Sequence, residues 1–289
     1  MGRTHPVTGP PDDDLPRTPD GPARPRTVHL SESGLPAVVE RSDWDEGWVL
    51  RIGGIEQSHV DLADPSRISH EYLRRIAAAV DTVRPRGEPL TIAHLGGGAL
   101  TLVRYVQATR PDSEQLVIEL ERELVSFVVG ALPLPAGTRL EVVVGDARDR
   151  LREMPGRLFD VVVLDVFSGE ASPPHLAAEE FYVEALEHLE VDGLLLVNVG
   201  DDAGQHFIAA QAAALEAASV SLGLPGVWML TAAALVERSD FGNYVLLAGG
   251  ALAAADIDEQ SQRWWAAGPH PAAVLDPEET ARFVWRRGR

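Results

Sequence analysis

The chain contains no cysteine and no lysine. Without cysteine there is no disulfide, no thiolate-bound zinc and no cysteine nucleophile. Without lysine there is no Schiff-base chemistry and no phosphate-loop lysine, so all 25 basic residues are arginine. Against them stand 44 acidic residues, for a net charge of −19. Nucleic-acid and anionic-membrane binders need clustered positive charge, and this balance argues against both. A negative field suits a cationic substrate, although acidity also serves solubility alone. Long apolar runs are missing too. Stretches such as "YVLLAGGALAAA" are too short to span a bilayer, and "MGRTHPVTGPPDDDLPRTPDGPARPRT" lacks a signal-like apolar segment, so a cytoplasmic protein is expected. The nine histidines are scattered without ligand spacing, and no metal is expected.

What is present is enough for a sizeable core: 289 residues, 45% of them hydrophobic. Residues 1–27, rich in Pro, Gly, Asp and Arg, read as a disordered tail. Residues 28–65 carry short β-like segments separated by Gly, Asp and Ser turns, and read as a small N-terminal antiparallel β-domain. In "PSRISHEYLRRIAAAVDTV", Tyr72, Ile76, Ala79, Val80 and Val83 recur at helical spacing. From there to residue 255 the rhythm changes. "LTIAHLGG", "EQLVIELE", "LEVVVGDA", "FDVVVLDVF" and "GLLLVNVG" are strand-like, and helical segments lie between most of them. Uniformly apolar strands alternating with helices predict an α/β domain whose mostly parallel sheet is covered on both faces. "GVWMLTA" and "NYVLLAG" predict a terminal hairpin-like pair with no comparable helix between them. Residues 256–289, with Trp264, Trp265 and Trp285, form a C-terminal extension.

Candidate chemistry falls at the carboxyl ends of the parallel strands, where open α/β sheets bind ligands. Gly96, Gly97 and Gly98 lie between a strand and a helix, and glycine lets the backbone approach a ligand closely. The spacing is not that of a dinucleotide fingerprint. Glu119 ends the next strand and can accept hydrogen bonds from both ribose hydroxyls of an adenosine, with Glu121 as the neighbouring alternative. Asp146 can accept the adenine amino group, with the amide of Ala147 against the ring, whereas Asp149 reads as a solvated or capping residue. Asp165 ends a run too apolar to carry an idle carboxylate, and suits a general base or a cation anchor. Asp160, at the start of that strand, reads as structural, and His94 as a core histidine. Together the strand tips make the footprint of an adenosyl ligand that needs no triphosphate site.

The segments "GGIEQSHVDLADPSRISHEYL", "IAHLGGGALTLVRY", "VIELERELV", "GDAR" and "FDVVVLDVFSGEASPPHLAAEEFYVEALEHLEVDGLLLVN" resemble the spermidine synthase family of polyamine aminopropyltransferases, from about Gly53 to Asn198. The resemblance implies a Rossmann-like class I methyltransferase fold with a seven-stranded sheet, preceded by a small β-sheet domain. It implies transfer of an aminopropyl group from decarboxylated S-adenosylmethionine to an amine such as putrescine, releasing methylthioadenosine. Gln57 matches a glutamine that contacts the nucleoside, and His70 and Glu71 match a helix start that lines the pocket. Glu119 matches the ribose ligand, Asp146 the adenine ligand, and Asp165 the first aspartate of the "DxSD" motif, which orients and deprotonates the attacking amine. His175, in the loop after the fourth strand, and Asn198, at the fifth strand's end, are candidate substrate contacts.

The departures concentrate on the cation-binding half. Ala99 and Leu100 stand where the family has Asp and Gly, Ser168 replaces the second aspartate of "DxSD", and Ser69 replaces a tyrosine. Ordinary S-adenosylmethionine, with methyl transfer to a small molecule, is therefore the alternative expectation. A non-catalytic nucleoside-binding protein is a third. The expected partner is a small amine or other small acceptor, with no nucleic acid or membrane involved, and a homodimer is in keeping with the family.

Overall fold

The computed structural model describes residues 21–166, 173–201, 204–238, 240–253 and 256–287. The expected N-terminal tail lies outside the described residues up to residue 20, and its last two positions already belong to a strand.

Four short strands build the first sheet in meander order: β1 (Arg26–His29), β2 (Pro36–Arg41), β3 (Trp48–Ile52) and β4 (Ile55–Val60). All its pairings are antiparallel. The register slips once, where Leu50 faces Ser58 but Arg51 faces Glu56, leaving Gln57 as the extra residue of a β-bulge. A bulge re-aims the side chains around it. The inward face (Leu30, Ala37, Val39, Trp48, Leu50 and Val60) packs on Ala99, Leu100, Val103, Val125 and Val128 of the main domain.

The main domain alternates strand and helix as its periodicity dictates. After α1 (Glu71–Val83) come β5 (Thr91–Leu95), α2 (Thr101–Thr109), β6 (Glu114–Glu119), α3 (Leu124–Ala131), β7 (Arg139–Val144), α4 (Ala147–Arg152) and β8 (Phe159–Leu164). Next are α5 (Glu179–Glu187), β9 (Leu189–Asp201), α6 (His206–Ser221), β10 (Trp228–Ala232), α7 (Ala233–Arg238) and β11 (Gly242–Ala248). The chain continues through α8 (Ile257–Ala267), β12 (Ala272–Leu275) and α9 (Pro277–Arg287). The sheet order is β12-β10-β11-β9-β8-β5-β6-β7. The pairings from β9 to β7 are parallel, and those involving β10, β11 and β12 are antiparallel.

Strand side chains alternate between two cores. Ala93, Leu95, Leu116, Ile118, Val162 and Leu164 face α5, α6 and α9 on one side, while Ile92, Val161, Val163, Leu194 and Leu196 face α1, α2 and Trp264 on the other. The expected mostly parallel sheet has seven strands plus an eighth, β12, which pairs with β10. Residues 256–289 are thus woven into the domain within the described span rather than appended to it. The expected hairpin-like pair is β10 and β11, with the short α7 inserted between them.

Two fully buried arginines tie loops to helix ends. Arg104 donates to the carbonyls of Ala99, Leu132 and Pro133, and Arg110 donates to those of Arg84, Pro85 and Glu88. Each satisfies backbone acceptors orphaned at a helix end or loop. Burial lowers the Arg104 guanidinium to about 10.

Candidate active site at the strand tips

Parallel pairing sets a single transverse row. Leu95 of β5 lies opposite Ile118 of β6 and Leu164 of β8, and Leu164 lies opposite Val197 of β9. The next residue on each strand (Gly96, Glu119, Asp165 and Asn198) therefore lines up along one edge. Backbone bonds lock the row: the Gly96 amide donates to the Ile118 carbonyl and the Asp165 amide to the Leu95 carbonyl, each at 2.9 Å. Asp146 follows just beyond the end of β7.

The glycines are required by close approach. Gly96 has φ +101°, and a Cβ there would overlap the Asp165 carbonyl oxygen. A Cβ on Gly97 would lie 3.1 Å from Glu119 Oε2. The bare Gly97 amide instead donates to that oxygen at 2.8 Å, while the Glu121 amide donates to Oε1 at 2.9 Å. Burial raises the Glu119 carboxyl above its ordinary value, and these amide bonds offset part of that rise. Glu121, the alternative read from sequence, is turned away: its oxygens accept the amides of Glu32 and Ser33 in the β1–β2 turn. Gly98 packs against the Ser58 hydroxyl, which accepts the Ala99 amide at 3.1 Å.

Asp165 is held at both oxygens. Asn198 Nδ2 donates to Oδ1 at 2.8 Å and the Tyr72 hydroxyl donates to Oδ2 at 3.2 Å. Burial pushes this carboxyl above its usual range, against the lowering effect of the two donors. Asn198 in turn accepts from Asn243 Nδ2 at 3.1 Å, extending the polar chain into β11. Tyr72 and Asn243 are the members of this cluster that sequence reasoning missed. The helical stripe through Tyr72 signals a core-facing ring, but a tyrosine in the first turn also carries a hydroxyl that can reach past the core edge.

His70 sits at the N-cap of α1 with its ring 6.0 Å from that of Tyr72, and its Nε2 lies 3.9 Å from Glu56 Oε1. Its Nδ1 is buried without a partner, and burial lowers its pKa despite the Glu56 charge. Glu71, by contrast, is exposed and pairs with Arg75. Gln57, at the bulge, makes no side-chain hydrogen bond among the described residues.

Asp146, rather than Asp149, caps α4: its Oδ1 accepts the amides of Arg148 and Asp149. Its Oδ2 lies 2.7 Å from His175 Nε2. Burial works to raise the Asp146 carboxyl, but the His175 contact and the two amides outweigh it and hold it below the ordinary carboxylate value. His175 is thus placed on Asp146, not on Asp165. Ala147 is the buried first residue of α4. Ser168 lies outside the described residues.

Ala99 is 1% exposed and packs under the N-terminal sheet. Leu100 beside it adopts the left-handed conformation, φ 60° and ψ 31°, normally left to glycine. His94 is a core histidine: it meets Gln115 at 3.0 Å and burial lowers it to about 4. Asp160 is structural, held by Arg84 and Thr91. Among the described residues, no group of three or more His, Asp or Glu side chains is gathered as a metal site would be, and no helix is long and apolar enough to cross a membrane.

No family model matches the chain. It is 25% identical over 189 residues to the polyamine aminopropyltransferase of Neisseria meningitidis, covering 63% of this chain and 70% of that one. It is 28% identical over 142 residues to the polyamine aminopropyltransferase of Vibrio vulnificus, covering 48% and 46%. In fold it matches a probable spermidine synthase from Corynebacterium glutamicum with a TM-score of 0.78 at 24% identity, over 91% of this chain and 94% of that one. A spermidine synthase solved with the transition-state analogue AdoDATO matches with a TM-score of 0.55 at 18% identity, over 83% and 79%. The sheet order gives an α/β domain with the fold of these spermidine synthases, and in sequence the chain is similar to polyamine aminopropyltransferases.

Proposed function

We propose that the chain transfers an aminopropyl group from decarboxylated S-adenosylmethionine to a small amine such as putrescine. The observation that carries this reading is Asp165: a desolvated carboxylate at the β8 tip, gripped by Tyr72 and Asn198 in one row with Gly96 and Glu119.

The residues present fit the nucleoside half of the donor. Glu119 offers a buried carboxylate against the bare Gly97 amide, Gln57 has an uncommitted amide, and His70 has a buried, unpartnered Nδ1. The bound donor supplies a sulfonium whose neighbouring carbon is open to displacement. Glu119 would accept the ribose hydroxyls and Asp146 the adenine amino group. Asp165 would anchor the cationic acceptor and take its proton, because an ammonium has no lone pair to attack with. The freed amine then forms the new C–N bond, the C–S bond breaks, and its electron pair stays on sulfur as the neutral thioether of methylthioadenosine. Positioning by the rigid row supplies much of the rate. The net charge of −19 favours a cationic acceptor over nucleic acid or an anionic membrane.

A second reading, methyl transfer from S-adenosylmethionine, is favoured by one observation. Where the resemblance calls for a carboxylate on the donor's amine end, the buried methyl group of Ala99 is committed to the interdomain core. Mass spectrometry of reactions holding putrescine or spermidine with each donor decides between them. Methylthioadenosine as product supports aminopropyl transfer, S-adenosylhomocysteine supports methyl transfer, and neither, with methylthioadenosine still bound, leaves a nucleoside-binding protein. Asp165→Asn should abolish product under the first reading.

A further inference from the structure

A cleft of about 700 Å³ opens on the side of the domain where α1 meets α8, and it includes none of the strand-tip residues. Its floor is small and apolar, with Ala77, Ala78 and Ala267 beside Tyr105. Its rim carries four guanidinium groups, those of Arg67, Arg74, Arg86 and Arg263. In a chain of net charge −19, where acids outnumber bases by 44 to 25, such clustering runs against the composition.

The charge in this cleft is largely uncompensated. Its one carboxylate, Asp81, accepts the Tyr105 hydroxyl at 2.9 Å and lies 3.9 Å from the buried Arg110 Nε, so it is already engaged below the rim. Arg67 reaches Asp61 at 3.4 Å and Asp45 at 3.8 Å. Among the described residues, Arg263 finds only the Asp81 backbone carbonyl, at 3.5 Å. Among the described residues, Arg74 and Arg86 make no side-chain ion pair or hydrogen bond.

We propose that this cleft binds a small molecule bearing at least two anionic groups. Phosphate and carboxylate share the needed chemistry, because the planar guanidinium fork matches both in bidentate fashion. The small floor residues leave room for the body of the ligand.

Isothermal titration of the full chain at near-physiological salt, with tripolyphosphate in one arm and citrate in the other, tests this. Binding tighter than about 1 mM is expected in at least one arm, and the arm that responds identifies the anion. The variant R74A/R86A/R263A should bind at least about tenfold more weakly. The control R122A/R282A/R286A, which removes equal charge elsewhere on the surface, should bind as the native chain does. All six side chains are exposed, so both variants should fold, which circular dichroism checks. Absence of binding in both arms, or equal weakening by the two variants, would overturn the proposal.

Discussion

Replacing Tyr72 by Phe removes one hydroxyl and almost no volume, so its consequences fall on Asp165. The lost bond is charge-assisted, and at 3.2 Å it is long for an O–H donor. The low end of the range for hydrogen bonds to charged groups, about 1.5 kcal/mol, is appropriate. That energy corresponds to about one pKa unit. Burial already raises the Asp165 carboxyl, so the native protein holds a proton there at pH values where the unfolded chain has released it. Stability from this group is therefore fullest below the unfolded value and declines as pH rises toward the folded one. Without the tyrosine donor the folded value climbs further and the decline steepens. Tyr72→Phe should lower the melting temperature by roughly 3–6 °C at pH 7, and by much less at pH 4, where the carboxyl is closer to its protonated form and the charge-assisted part of the bond fades. In turnover assays the acidic limb of the kcat/KM profile should move up by about one unit, because Asp165 must be ionised to take a proton. Melting curves at the two pH values and a pH–rate series check both effects. A variant with the native pH profile and an equal melting deficit at pH 4 and pH 7 would refute the coupling of Tyr72 to Asp165.

Other substitutions probe the rest of the site. Gly96→Ala places a Cβ on the Asp165 carbonyl at φ +101° and should lose more than about 3 kcal/mol in urea unfolding, whereas Gly34→Ala, at φ +70° with open space, should lose only about 1 kcal/mol. Glu119→Gln turns an amide donor toward the Gly97 or Glu121 amide. It should lose about 1–3 kcal/mol of stability and weaken methylthioadenosine binding about tenfold by calorimetry. Arg104→Lys should be nearly as damaging as Arg104→Ala in unfolding experiments, because a single ammonium cannot reproduce the fork that reaches Ala99, Leu132 and Pro133. His175→Ala should return the Asp146 carboxyl toward its ordinary value in an NMR titration. The stabilisation it removes is present above the unfolded carboxylate value and lost as pH falls, and it should stay under about 0.5 kcal/mol because His175 is 48% exposed.

Much of the architecture was legible before any coordinates. Uniformly apolar strands separated by amphipathic helices imply a covered parallel sheet, and the residues directly after such strands must share one edge. Gly96, Glu119 and Asp165 could be picked out on that ground alone, Asn198 joined them through the family resemblance, and parallel register is what puts the four in one row. The choice between Glu119 and Glu121 could not be read this way. Both carboxylates lie near the β6 tip, and it is the β1–β2 turn, almost ninety residues earlier in sequence, that claims Glu121. Tyr72 was concealed by its own periodicity, since a helical stripe reports which face is buried and not what the far end of a side chain touches. His175 was placed near a substrate by its loop, while its partner is Asp146. The eighth strand was hidden because β12 has only four residues and pairs with a strand more than forty residues before it.

The sequence by itself determined the elements, their order and the edge on which chemistry gathers, because these follow from local periodicity and strand direction. Only the tertiary structure decided which carboxylates are held at the strand-tip edge, which are spent on capping or domain docking, and that Ala99 is buried beneath the first sheet. Those outcomes depend on distances between residues far apart in the chain, which packing sets and spacing does not encode.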